Sequence, residues 1–120
     1  MINVKDQVYA ALCSVIENVS DGYPQDWKKM PAVQYMEEDN RVYERTSEGE
    51  EKSYIRYRVD IWNEGSTSAC ACEVDRVLSE LGLERTGCTD VDEPQSRYKH
   101  KTMRYEAIID VHTEITYSAR

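Results

Sequence analysis

Thiols, imidazoles and a run of carboxylates are the groups in this 120-residue chain whose types could support chemistry. The cysteines are Cys13, Cys70, Cys72 and Cys88, and the histidines are His100 and His112. Cys70 and Cys72 sit in a stretch with helical spacing, where two residues amount to about 200° of rotation. They face opposite ways and cannot jointly grip one metal ion, and both histidines lie in other elements. A zinc site is therefore not expected. With no secretory pattern and no dense cysteine framework, the four read as reduced, small, buried or half-buried thiols. A Cys–His nucleophile pair would need a histidine to approach Cys88 in space, and nothing local supports it.

The carboxylate run is Glu37, Glu38 and Asp39, followed by Asn40. Carboxylates at a turn suit calcium or magnesium. No EF-hand spacing follows, however, and the run reads as a solvated acidic turn. The chain has no Gly-rich phosphate loop, no serine nucleophile elbow and no HExxH. With 23 acidic residues, carboxylate pairs discriminate nothing. No catalytic, cofactor-binding or metal-ligating residue is assigned from the sequence, and an enzyme is not expected.

The formal net charge of −8 argues against wrapping DNA, because binding a duplex through its phosphates needs clustered Lys and Arg. It does allow nucleic acid to slide past without sticking. No apolar run approaches the roughly 20 residues that span a bilayer. The N-terminal MINVKDQVYAALCSVIENV mixes charged and polar residues into its apolar positions, unlike a signal peptide, so synthesis in the cytosol is expected.

The elements that must position any site are organised around Lys52–Trp62. Ile55, Tyr57, Val59 and Ile61 fall on one side of an extended chain; Tyr54, Arg56, Arg58, Asp60 and Trp62 fall on the other. The phrase returns at Thr102–Tyr117, where Met103, Tyr105, Ala107, Ile109, Val111 and Ile115 share a face. RYRVDIW and RYEAIIDVH are expected to pair as two central strands. Before them, Val4, Val8, Leu12, Val15, Ile16 and Val19 predict a four-turn helix capped at Asn3 and ended by Gly22 and Pro24. Two short strands are expected next, through Val33–Tyr35 and Val42–Tyr43, on either side of the acidic turn. Thr46–Glu51, TSEGEE, has no apolar residue and reads as a long mobile loop. Thr67–Leu81 predicts a second helix through Cys70, Val74, Val77, Leu78 and Leu81, with Gly82 at C′ and Leu83 closing the cap. Leu83–Val91 reads as a strand bulged at Gly87, and Asp90–Lys101 as a hydrophilic loop folded back on itself.

The order predicts a single α+β domain over residues 1–120. Its sheet is four- to five-stranded, mainly antiparallel or mixed, with two helices packed on one face. The other face would carry Tyr54, Arg56, Arg58, Trp62, Arg104, Glu106, Ile108 and Asp110. Exposed aromatic and aliphatic residues flanked by charge would suit a subunit interface.

PAVQYMEEDN, YIRYRVDIW, the GSTSA-started helix and KHKTMRYEAIIDV, in this order after an amphipathic helix, resemble small tail-completion proteins of prophages from low-GC Gram-positive bacteria. More remotely the chain is similar to the tail terminator and head-to-tail joining group of long-tailed phages. The resemblance implies subunits that close into a ring, commonly a hexamer, which caps the tail tube and meets the head connector. It implies the tail tube protein and a head–tail connector protein as partners, no catalytic residues, no cofactor, and a place in the virion tail after assembly in the host cytoplasm. DNA would pass through without specific binding. The competing expectation is a small acidic intracellular module that binds protein or mimics nucleic acid, which would need one continuous acidic face.

Overall fold

The computed structural model describes residues 1–114 and 116–117. The chain runs α1 (Lys5–Cys13), β1 (Asn18–Asp21), β2 (Ala32–Thr46), β3 (Gly49–Asn63), α2 (Ser68–Glu80), β4 (Glu84–Val91), β5 (Lys99–Asp110) and β6 (Thr116–Tyr117). The sheet order is β1-β2-β3-β5-β4, with the two-residue β6 returning onto β5. β1 is parallel to β2 and every other pairing is antiparallel. This is the α+β architecture expected, a mostly antiparallel mixed sheet with both helices packed on it.

The two long phrases do pair at the centre, from Lys52↔Asp110 to Asn63↔Lys99. Alternation places Ile55, Tyr57, Val59 and Ile61 of β3 beside Met103, Tyr105, Ala107 and Ile109 of β5 on the helix side, all buried. Val8 and Leu12 of α1 and Cys70, Val74, Val77 and Leu78 of α2 cover them. Tyr57 and Tyr105 stand directly opposite one another and are fully buried. Each hydroxyl therefore needs an internal acceptor. Tyr57 donates to Glu37 Oε2 at 2.8 Å and Tyr105 donates to Asp75 Oδ1 at 2.9 Å. Burial first, then the carboxylate partner, pushes both phenols far above the usual tyrosine range.

α2 ends as its sequence predicts. Gly82 takes φ +90°, its N–H donates to Ser79 O, and Leu83 N–H reaches back to Leu78 O, the paired bonds of a Schellman cap. A Cβ on Gly82 would also stand 2.1 Å from Thr116 Oγ1, so the turn is closed to larger residues twice over. β4 is bulged between Arg85 and Gly87, as expected.

Four expectations are corrected. The first helix stops at Cys13 instead of running to Val19. Ser14 donates its hydroxyl to Ala11 O, and Asn18–Asp21 leave the helix to pair with Ala32–Tyr35. The N-cap is Val4, without a side-chain cap bond, rather than Asn3, whose Oδ1 accepts Lys5 N–H at 2.9 Å from one residue further out. The acidic turn is instead the middle of a continuous 15-residue strand, bulged between Glu37 and Asp39. Its carboxylates are drawn to Tyr57, to arginines and to Arg41, so they need no turn to reach solvent. TSEGEE is a tight hairpin, with Thr46 opposite Gly49 and φ +116° at that glycine. Thr46 Oγ1 accepts Glu48 N–H and donates to Glu51 Oε1, which pins the turn without any apolar contact. The Asp90–Lys101 loop shrinks to 92–98, because Asp90 and Lys101 are cross-strand partners with an ion pair at 2.8 Å. Val111 lies in the turn after β5, and Ile115 and Ser118–Arg120 lie outside the described residues.

Two outcomes test this core. Ile61→Asp or Ile109→Asp would bury an unpaired carboxylate at a cost of several kcal/mol, a large part of the about 5–15 kcal/mol that holds a domain. Either variant should lose most of its thermal transition, and a melting temperature within a few degrees of the parent would refute the register. The second test is alkaline. Because Tyr57 and Tyr105 ionise in the fold only above the usual range, the stability they bring is complete below pH about 10 and is lost as pH rises beyond it. Phenolate absorbance should show these two ionising only together with unfolding, tracked by circular dichroism.

Candidate functional site

The face of the sheet opposite the helices carries the polar side chains that the core does not use. Tyr54, Trp62 and Ile108 were expected to stand exposed there, but they are 7%, 5% and 4% accessible. Arg41 lies over the Tyr54 ring at 4.3 Å. Trp62 is covered by a second small core: His100 stacks on it at 4.4 Å, and Trp27 meets it edge-on at 5.4 Å. Tyr23 and Tyr98 close round Trp27 at 5.3 and 5.2 Å, and Tyr98 donates its hydroxyl to Trp27 O. What this face offers a partner is therefore charge rather than apolar area.

Beside Trp62 sits a buried polar network. Asp60, 3% accessible, takes Thr102 Oγ1 at 2.6 Å and His100 Nε2 at 2.8 Å on one oxygen, and Arg58 Nε at 2.9 Å on the other. The second ring nitrogen of His100 faces Glu93 Oε1 at 2.6 Å. Strand alternation brings these groups together: Asp60 and Thr102 are opposite each other, as are Trp62 and His100. Both imidazole nitrogens are engaged by carboxylates, so the ring is not free to serve as a general base, and the neighbouring hydroxyl of Thr102 is turned to Asp60. The arrangement works as a clamp that ties the 92–98 loop, through Glu93, to the central strand.

One rung further, Glu38 sits among three guanidinium groups. Arg104 Nε approaches at 3.1 Å, Arg56 Nε at 3.4 Å and Arg58 at 3.9 Å. Arg58 and Arg104 are direct cross-strand partners, a like-charge pair that would repel without Glu38 between them.

The residues singled out from sequence are scattered. Cys70 is buried in the helix–sheet core, where burial pushes its thiol up to about 11, whereas Cys13, Cys72 and Cys88 are exposed rather than half-buried. Cys88 faces the helix side and His100 the opposite side, so they form no nucleophile pair. His112 Nε2 meets Glu51 Oε2 at 3.0 Å on the surface. Glu37 points to the helix side and Glu38 to the other, so the carboxylate run does not converge on a cation. The Asp60–His100–Glu93 network escaped the sequence reading because its members are 40 and 7 positions apart. The available signal was that Asp60 and His100 both hold the outer register of paired strands.

The sheet is also open at both sides. β1 covers β2 only from Ala32 to Tyr35, and among the described residues no strand pairs with the outer edge of β2 beyond that point or with the outer edge of β4. Between two bulges, Asp39–Val42 keeps a regular ladder with β3, with Val42 and Tyr43 exposed beside it. No protein-family model matches the chain, and no curated protein compared with it matches significantly.

Asp60→Leu would strip Arg58, Thr102 and His100 of their shared acceptor. The expected loss is about 3 kcal/mol, the lower end for breaking a buried ion pair because Arg58 can regain water. Limited proteolysis should then cut within 92–98 sooner than in the parent. Unchanged stability together with unchanged cleavage would show that the clamp holds nothing.

Proposed function

We propose that the chain is a non-enzymatic structural subunit of a phage or prophage tail, forming a ring at the head-proximal end that ends tube growth and joins tail to head. The observation that carries the structural half of this reading is the pair of unlike free edges, β2 beyond Tyr35 and β4, on opposite sides of one sheet. A contact between unlike edges of successive copies is heterologous, and such contacts close into rings when the rotation per copy allows it. Regular runs at Asp39–Val42 and Gly87–Val91 are long enough for strand addition, while the flanking bulges on β2 and at Gly87 limit how far pairing can spread.

The acid-rich composition supports a conduit role, since phosphate repulsion discourages DNA from adhering to a wall of net charge −8. The assignment to the tail rests on the resemblance of the sequence phrases. The competing mimic of nucleic acid is disfavoured by the fate of Glu37, Glu38 and Asp39, which point into separate internal pairings instead of one acidic face. The tail tube protein and a head–tail connector are the partners of this reading, with a hexamer as the ring size.

Light scattering and negative-stain microscopy of the protein, alone at high concentration and mixed with tail tubes, should find closed rings or ring-capped tubes. Val42→Lys with Tyr43→Lys changes two exposed side chains on the open strand, so it should keep the parental melting temperature and lose assembly. A parent that stays monomeric under both conditions would overturn the reading, and so would a double variant that still assembles.

A further inference from the structure

Along the uncovered edge of β2 the sequence is its own complement. Arg41, Val42, Tyr43 and Glu44 read as base, aliphatic, aromatic and acid in one direction, and as the matching partners in the other; all four are exposed. The register on β3 places the two charges on one face. Arg41 is opposite Tyr54 and Glu44 is opposite Lys52, and residues two apart on β3 point the same way. On a regular strand, positions three apart would face opposite ways, but the bulge between Val42 and Glu44 absorbs the extra residue. Asn40 and Val42, opposite the buried Ile55 and Ser53, take the helix side. Arg41 pairs with Asp39 at 3.0 Å and Glu44 with Lys52 at 3.3 Å, yet the two side chains keep 63% and 49% of their surface in solvent. Each can take a further partner.

We propose that this edge binds a second copy of the chain, β2 against β2 in antiparallel pairing about a two-fold axis between Val42 and Tyr43. An axis perpendicular to the sheet keeps the helices of both copies on one side and makes the contact self-complementary. Arg41 of each copy then stands opposite Glu44 of the other, and Val42 opposite Tyr43. Opposite charges and an aliphatic side chain beside an aromatic one are favourable cross-strand pairs, and the open main-chain groups supply the ladder. Directly opposed residues must share a face, which rules out a slip of one residue: it would set Asn40 or Val42, on the helix side, against Glu44 on the other. A slip of two sets Asp39 against Glu44 in one direction and parts Arg41 from Glu44 in the other. The lengths also agree. The run from Asp39 to Thr46 overlaps with itself over about 26 Å of strand. Each hairpin turn at 47–48 then meets 37–38 of the other copy and stops short of Tyr35, where β1 begins to cover the edge. This dimer does not depend on ring closure and competes with it, because each copy commits the β2 edge that a ring would use.

The test is sedimentation velocity of the full chain at micromolar concentration without tail tubes, where the parent should run as a dimer. Arg41→Glu and Glu44→Arg each set like charges across both contacts. Each should keep the parental circular dichroism and melting temperature and weaken dimerisation at least tenfold. Mixed in equal amounts, the two variants restore opposite charges at both contacts and should form a heterodimer of near-parental affinity. The double variant Arg41→Glu with Glu44→Arg should dimerise with itself again. A monomeric parent, single variants that dimerise as well as the parent, or a mixture and a double variant that both stay monomeric would each overturn the two-fold contact. Pairing of β2 with the β4 edge of another copy would not be rescued by mixing, so that result counts against it too. None of these outcomes bears on whether tubes are capped by rings, which the Val42→Lys, Tyr43→Lys assembly assay reads separately.

Discussion

Two tyrosine hydroxyls buried at the centre of the sheet constrain most of what surrounds them. Tyr57 and Tyr105 are opposite partners on β3 and β5 and are fully inaccessible. A buried hydroxyl without a partner costs about 1–3 kcal/mol in proteins, so each must be met from a neighbouring element. Glu37 meets one from β2 and Asp75 meets the other from α2. These bonds run outward in opposite directions from the central pair. They fix the register of β2 before its bulge and the rotation of α2 over β5. The acidic run on β2 therefore cannot be a free turn, because its first member is already committed to the core side.

From that point the two faces of the sheet diverge. The helix side excludes water with aliphatic residues and needs few polar contacts beyond the tyrosines. The other side has no helix to cover it and solves the problem with polar pairing. Arginines surround Glu38, Asp60 collects three donors, and an aromatic group caps Trp62. Because Arg58 serves both Glu38 and Asp60, the two clusters form one connected surface. A face satisfied in this way is well ordered but offers little apolar area, so it is a weaker candidate for a large interface than alternation in the sequence implied.

The sheet edges are where main-chain groups stay unpaired. Main-chain N–H and C=O groups along Asp39–Val42 and along β4 have no strand beyond them among the described residues, and edge groups of this kind pair with another chain unless something prevents it. The bulges in β2 and the charged residues along it restrain indiscriminate pairing without abolishing it. That combination suits a protein that assembles with defined geometry rather than one that aggregates.

The sequence by itself determined the central strand pair, its inward face, the second helix with its Gly82 cap and the bulge at Gly87. In each case a local period or a single backbone requirement carries the information. Alternation places Ile55 to Ile61 on one face whatever lies above them, and a left-handed cap favours glycine wherever the helix sits. Only the tertiary structure decided the rest. Val15, Ile16 and Val19 fit a helical period equally well, but the open edge of β2 draws Asn18–Asp21 into a parallel strand that no local pattern announces. Glu37–Asp39 look like a solvated turn until Tyr57, Arg104 and Arg41 arrive from elsewhere in the chain to pair them. TSEGEE lacks any apolar anchor, and its order comes from hydrogen bonds across a turn that the neighbouring ladder has already closed. Asp60, His100 and Glu93 meet only because β3 and β5 pair in one register, and a shift of one residue would send His100 to the helix side. Local periods reveal which face a residue takes, but partners contributed by distant segments exist only once the sheet is assembled.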